Sequence, residues 1–215
     1  MITGGNLRAF NSSLSPGMAA IYASAISPVL DRAEISGHVL RLRHFMAQLA
    51  HESAGFRGLT ESMAYRDPAH LLATFSSVQT LAHAQHLIAA GPEAIGDWVY
   101  ANKLGNGNVA SGDGYRFRGR GFIMNTGRAN YVQVARYANV PVDTSPETLS
   151  TPDVAAVAAA MFWTTRKINL AADANDIEAV TRLVNGSKMQ GLAQRKARYA
   201  VACTIWPSSN SSPAA

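Results

Sequence analysis

The sequence predicts a mainly α-helical protein, and three observations carry that prediction. Apolar residues recur at steps of three and four through most of the chain, the spacing of one buried helix face. Glycines and the pairs Ser15-Pro16 and Asp67-Pro68 punctuate those stretches as helix start and stop signals. Only one short segment, Tyr115 to Ile123, alternates as a strand does, with Arg116, Arg118 and Arg120 on one face and Tyr115 and Phe117 on the other. With 215 residues, 47% hydrophobic and 15% charged, the chain suits one globular domain, or one with a small lobe, and can bury a real core.

Taken in order, residues 1–16 are rich in Gly, Asn and Ser and read as a loose lead-in. A helix from about Gly17 to Asp31 would carry Met18, Ile21, Tyr22, Ala25 and Val29 on one side. The Glu34 to Gly37 region breaks it, and a central helix begins near His38. That helix buries Val39, Leu42, Phe45, Met46, Leu49 and Ala50 and should stop near Gly55, which can take the left-handed conformation. Further helices are expected after Asp67-Pro68 with Leu71, Leu72 and Phe75, over Ala82 to Ala90, and over Ile95 to Leu104. Gly105 to Gly114 is a polar loop whose opening mimics a dinucleotide fingerprint, but no strand precedes it and no helix follows. Asn130 to Asn139, Asp153 to Thr165, Asp176 to Val184 and Leu192 to Ile205 complete the helices, with a loop over Pro141 to Pro152. Residues 1–206 thus read as a single domain and 207–215 as a disordered tail.

Composition narrows the function classes. A net charge of +5 favours a polyanionic partner, whether nucleic acid, an acidic membrane or a bacterial wall. The single cysteine, Cys203, leaves no internal disulfide and no cysteine-based zinc cluster, which fits a reducing compartment. The longest apolar run, Val154 to Trp163, is too short to span a bilayer. Met18 to Ile26 reads as an ordinary helix and not a signal peptide, because only Arg8 supplies positive charge ahead of it. Export would then come from another protein.

Metal chemistry finds little support: His51-Glu52 opens like a zinc-protease motif, yet Gly55 stands where the second histidine belongs, and His83 and His86 lack a third ligand. Arg118 to Ile123 partly matches an RNA-recognition strand, but Arg120 and Asn125 occupy the positions of the stacking aromatics. The arginine row could instead line an anionic cleft, hold carboxylates, or simply be a solvated face.

Two carboxylates draw attention. Glu52 lies three residues beyond Leu49 and seven beyond Phe45, at the edge of the apolar stripe, where partial desolvation would keep it protonated nearer to neutral pH. Such a group can act as a general acid. Glu61 follows nine residues later; on a continuous helix that is roughly 13 Å and the opposite face, so the chain must turn back at Gly55 and Gly58 for the two to cooperate. A raised and an ordinary carboxylate facing one cleft suit glycosidic bond hydrolysis. The plainer reading is two solvated surface acids.

Ordered segments add a resemblance. His51-Glu52-Ser53-Ala54-Gly55-Phe56 with Glu61, Tyr100 to Gly107, Gly112 to Ile123, and Thr126-Gly127-Arg128-Ala129-Asn130-Tyr131 resemble glycoside hydrolase family 19, and more specifically its bacteriophage endolysin branch. Phe162-Trp163, Ala179 to Gly186, and Gly191-Leu192 with Arg195 and Tyr199 extend it to about residue 200.

The resemblance implies a lysozyme-like, two-lobed helical fold with a small β element beside a sugar-binding cleft, residues 1–206 being the catalytic domain. It implies inversion, with Glu52 as general acid, Glu61 as the base that activates water, and Thr126 holding that water. His51, Asn130, Asn185 and Arg195 fall at positions that line the cleft or orient the acids, and Tyr65 and Arg120 complete the substrate-binding candidates. Inversion would set the two carboxyl groups roughly 6.5–9.5 Å apart.

Two departures stand out: Met124 and Asn125 replace the usual glutamine and leucine, and Lys188, Met189 and Gln190 replace a stretch where chitinases carry an acid. The expected activity is hydrolysis of β-1,4 bonds between N-acetylated sugars of peptidoglycan, with no metal or cofactor. The enzyme is expected to be a monomer that neither binds nucleic acid nor inserts in the membrane. It would be made in the bacterial cytoplasm and reach the wall through a holin. A chitinase and a non-catalytic glycan-binding protein are the alternatives.

Overall fold

The computed structural model describes residues 2–208; the expected tail beyond Ser208 lies outside them. The chain runs through α1 (Gly4–Phe10), α2 (Pro16–Ile26), α3 (Val29–Arg32), α4 (Val39–Glu52), α5 (Pro68–Thr74), α6 (Leu81–Ala90) and α7 (Pro92–Val99). It continues through α8 (Asp113–Arg116), α9 (Arg128–Ala138), α10 (Pro152–Thr165), α11 (Ile168–Asp173), α12 (Ile177–Asn185) and α13 (Leu192–Ile205). The fold is mainly helical. Its β content, among the described residues, is two isolated bridges, Thr60 with Arg120 and Arg120 with Asn125. No described helix is long and apolar enough to cross a membrane.

The chain divides into two compact units. The first takes in the segments up to Leu59, Gly121–Ile123, and from Thr151 onward; the second is Thr60–Arg120 and Met124–Ser150. The first is organised around α4, as the periodicity predicts. Phe45, Met46, Leu49 and Ala50 are buried, and each of the first three contributes about 1.5–3 kcal/mol of transfer free energy. The Phe45 ring meets Trp163 of α10 edge to face at 5.2 Å, and α13 packs along α4. Beyond Glu52, Ala54, Gly55 and Phe56 all take positive φ, and the Gly55 N–H returns to the Ala50 carbonyl at 2.6 Å. Phe56 is buried there against Phe10 and Phe122.

Three expectations in this unit are corrected. The lead-in is not loose: Thr3 and Asn6 form a reciprocal capping box that starts α1, whose Leu7 and Phe10 are buried. The expected Gly17–Asp31 helix is two, because Pro28 has no N–H to continue α2 and α3 starts beyond it. The buried face of α2 is also different: Met18 and Ile21 are exposed, while Ala19, Tyr22, Ala23, Ala25 and Ile26 are buried. Small alanines pack α2 against α1 and α10 beside the larger Tyr22 and Ile26, while Met18 and Ile21 are left out of the core.

The second unit has its own core of Met63, Leu71, Val78, Ala84, Leu87, Ile95 and Val99, with Tyr65, Phe75, Tyr100 and Tyr115 packed on it. Asp67 caps α5 by accepting the Ala69 N–H, as the Asp-Pro pair suggests. The expected Tyr115–Ile123 strand is not formed. Asp113–Arg116 is helical, and Arg120 pairs its N–H and carbonyl with Asn125 across a turn at residues 121–124. The arginines do not share a face either. Arg116 donates to the Thr144 carbonyl and Arg118 stacks on the Tyr115 ring. Arg120 is buried, donating to the Arg116 carbonyl and the Tyr131 hydroxyl. Buried Asp113, ion-paired with Arg128 and accepting the Gly107 N–H, ties the polar loop to α9.

Candidate active site

Each unit carries one of the two glutamates in a distinct setting. In the first, Glu52 is the last residue of α4, and its Oε1 accepts from Arg195 Nη2 at 2.5 Å. Arg195 comes from α13 and is 1% exposed. Its Nη1 donates to Gln48 Oε1 and its Nε to the Gln190 carbonyl at 3.1 Å. Gln48 precedes Glu52 by four residues, so both project from the same helix face, and its Nε2 lies 3.5 Å from Thr181 Oγ1. Glu52 therefore meets a fixed cation, not merely the apolar edge that the periodicity suggests. A buried guanidinium is tolerated only when its N–H groups find acceptors, and here three acceptors take them.

His51 and Asn185 support this arrangement. A Cβ at Gly191, which has φ 74°, would stand 2.5 Å from the His51 ring, so only glycine lets the turn before α13 pack on the imidazole. Burial, reinforced by the Arg195 and Arg198 charges, pushes the His51 imidazole down to about 4, leaving it neutral at neutral pH. Asn185, the last residue of α12, accepts the Gln190 N–H at 2.6 Å. That bond orders the 185–190 turn that presents the Gln190 carbonyl to Arg195.

In the second unit Glu61 is held by neutral donors. Its Oε1 accepts from the Tyr100 hydroxyl and its Oε2 from the Gly119 N–H, both at 2.8 Å. Burial first, and then the Glu61 charge, push the Tyr100 phenol above its ordinary range, so it remains a donor. A methyl on Gly119 would lie 3.1 Å from Glu61 Oε2 and 3.3 Å from Thr126 Oγ1, so the carboxylate and the hydroxyl border the same glycine. Thr126 Oγ1 donates to the Met124 carbonyl at 3.0 Å, and Asn130 Nδ2 donates to the Thr126 carbonyl at 2.7 Å.

The structure thus groups His51, Glu52, Asn185 and Arg195 in the first unit, and Glu61, Thr126 and Asn130 in the second. Arg120 stands outside these groups, while Tyr65 lies near the second, close enough for the Glu61 charge to act on its phenol. The Arg120 guanidinium is turned to its own unit's interior, and Tyr65 packs on His70 and Phe75 beside an open pocket of about 420 Å³. Sequence reasoning missed Gln48, Tyr100 and Gly119 as partners of the glutamates. The i−4 spacing of Gln48 to Glu52 was the available signal for the first; nothing local marks the other two. Met124 sits at φ 49° and contributes its backbone carbonyl, while the Asn125 Nδ2 is buried without a partner. Among the described residues no group of three His, Cys, Asp or Glu side chains could hold a metal ion.

Two glutamates fixed by hydrogen-bond donors, one of them at the end of a core helix, are of the residue type that glycosidic bond hydrolysis uses. Comparison with known proteins agrees. A glycosyl hydrolase family 19 domain-containing protein of Haemophilus influenzae is 32% identical over 193 residues, covering 88% of this chain and 91% of the relative. The chain belongs to glycosyl hydrolase family 19. No protein-family profile matches it. Among solved structures, chitinase C from Streptomyces griseus shares the fold with a TM-score of 0.57 at 14% identity, over 95% of this chain and 76% of that one. A chitinase C mutant gives 0.55 at 14% identity, over 95% and 92%.

Proposed function

We propose that the protein is an endolysin-type peptidoglycan glycosidase that cleaves β-1,4 bonds between N-acetylated sugars with inversion. The observation that supports this reading best is membership of glycosyl hydrolase family 19 together with two glutamates each fixed by hydrogen bonds, Glu52 at the end of α4 to Arg195 and Glu61 to Tyr100 and the Gly119 N–H. In the proposed reaction Glu52 protonates the departing glycosidic oxygen, and Glu61 takes a proton from water positioned with the help of Thr126. His51, Asn185 and Arg195 hold the acid, and Asn130 holds the Thr126 segment. The net charge of +5 suits an anionic wall, which the enzyme would reach as a monomer after release through a holin.

Chitin is the second candidate substrate, favoured by the fold shared with two chitinase C structures. The deciding experiment is a digest of purified peptidoglycan, with mass spectrometry of the new reducing ends and colloidal chitin in parallel. Muramic acid ends identify a muramidase and glucosamine ends from the wall a glucosaminidase. Soluble chitin oligomers with an intact wall identify a chitinase. Glu52→Gln should remain folded and lose nearly all hydrolysis; retained lysis would overturn the assignment.

A further inference from the structure

The network behind Glu52 reaches one residue further than the ion pair. Arg195 has a single positive charge and three acceptors: the Glu52 carboxylate, the Gln48 side-chain carbonyl and the Gln190 backbone carbonyl. Among the described residues its ion pair is with Glu52 alone. Gln48 is fully buried, and its amide is oriented by Thr181 on one side and Arg195 on the other. We propose that Gln48 is a positioning residue: it aims the Arg195 guanidinium at Glu52, and as an amide it leaves the whole of that charge to Glu52. A carboxylate in its place would share the guanidinium and set a like charge one helical turn from Glu52. This rests on Glu52 being the general acid.

The other charges around α4 are engaged elsewhere or neutral. On α4 itself Arg41 pairs with Asp173 of α11, Arg43 donates to the Trp206 carbonyl, and His44 and His51 are both pushed down to about 4 by burial. On α13 Lys196 pairs with Glu178 of α12, and Arg198 donates to the Phe10 carbonyl. Arg182 of α12 is exposed, and Asp176 caps that helix by accepting the Glu178 and Ala179 N–H groups. Tyr199 donates to Asn175. Among the described residues Arg195 is thus the cation that pairs with Glu52, while the Arg198 charge reaches the neighbouring His51.

The test is the pH dependence of hydrolysis by the full chain, on whichever of peptidoglycan or colloidal chitin it degrades. In Gln48→Glu the upper limb of the pH–rate profile, where the acid loses its proton, should move up by about one pH unit. In Gln48→Leu kcat should fall about tenfold with KM within about twofold, because the guanidinium loses one aiming contact. Thermal melting establishes that each variant is folded; if Gln48→Leu is not, Gln48→Glu decides alone. An unmoved upper limb in folded Gln48→Glu, or wild-type kcat in folded Gln48→Leu, overturns the proposal. Glu52→Gln separates the two levels of inference: if it keeps hydrolysing, the assignment of Glu52 fails, and if it is inactive while the Gln48 variants behave as wild type, only the role of Gln48 fails.

Discussion

Glu52 and Glu61 are the same residue type held by opposite means. The first unit fixes its carboxylate with a full positive charge that is itself buried and saturated by other acceptors. The second uses a phenol and a backbone N–H, and among the described residues no ion pair reaches Glu61. Both carboxylates accept charge-assisted hydrogen bonds, but only Glu52 faces a cation, and removing one partner of a buried ion pair leaves the rest stranded. The lesson is that one unit concentrates its control in a single cation, while the other spreads it over small contributions.

The largest expected effect follows from that concentration. Arg195→Met should cost about 3 kcal/mol or more of stability in the first unit and, on the proposed assignment, over a hundredfold in kcat/KM. Urea unfolding and initial rates would check both, and a variant with wild-type values would erase the contrast. Tyr100→Phe removes one neutral donor and keeps the ring. It should lower kcat about tenfold and stability by about 1.5 kcal/mol, and a loss as large as that of Arg195→Met would show the two settings to be equivalent.

The smallest effect is a difference in acid sensitivity. His44 and His51 have folded-state values near 4, below the unfolded value of about 6.5. The unfolded chain therefore binds more protons between these values, so the first unit has its full stability above about pH 6.5 and loses it as the pH falls toward 4. Asp113 is the reverse case in window. Its hydrogen bond to Arg128, ahead of any other influence, holds the carboxyl below its ordinary value, so that contribution to the second unit survives until the pH drops below about 4. Hydrogen exchange between about pH 6.5 and 4.5 should show protection falling in the core of the first unit and not of the second; equal loss in both would sink the distinction.

Much of this was legible in the sequence because it is local. The stripe from Phe45 to Ala50, the Asp67-Pro68 start and the span of α13 follow from periodicity and punctuation and stand as expected. Alternation alone misled over residues 115–123. Gly119 and Gly121 interrupt the side-chain row a strand needs, and the Arg120 side chain answers to Tyr131, eleven residues on and outside that segment. The surroundings of the glutamates were the least legible part. Arg195 lies 143 residues from Glu52, and Tyr100 and Gly119 lie 39 and 58 residues from Glu61. The family resemblance pointed to Arg195, while Gln48 and Tyr100 needed coordinates.

The exit from α4 has a consequence for how the chain folds. Alanine and phenylalanine disfavour left-handed backbone by about 1–2 kcal/mol each, and the corner Ala54-Gly55-Phe56 asks both to adopt it. A peptide of that segment alone would not hold the corner. Burial of the Phe56 ring against Phe10 and Phe122 offsets the penalty, and those rings come from an early helix and from a segment more than sixty residues downstream. The corner that follows Glu52 should therefore close only once both have docked. Shape at the end of α4 is a late acquisition in folding, set by distant aromatics and not by the helix itself.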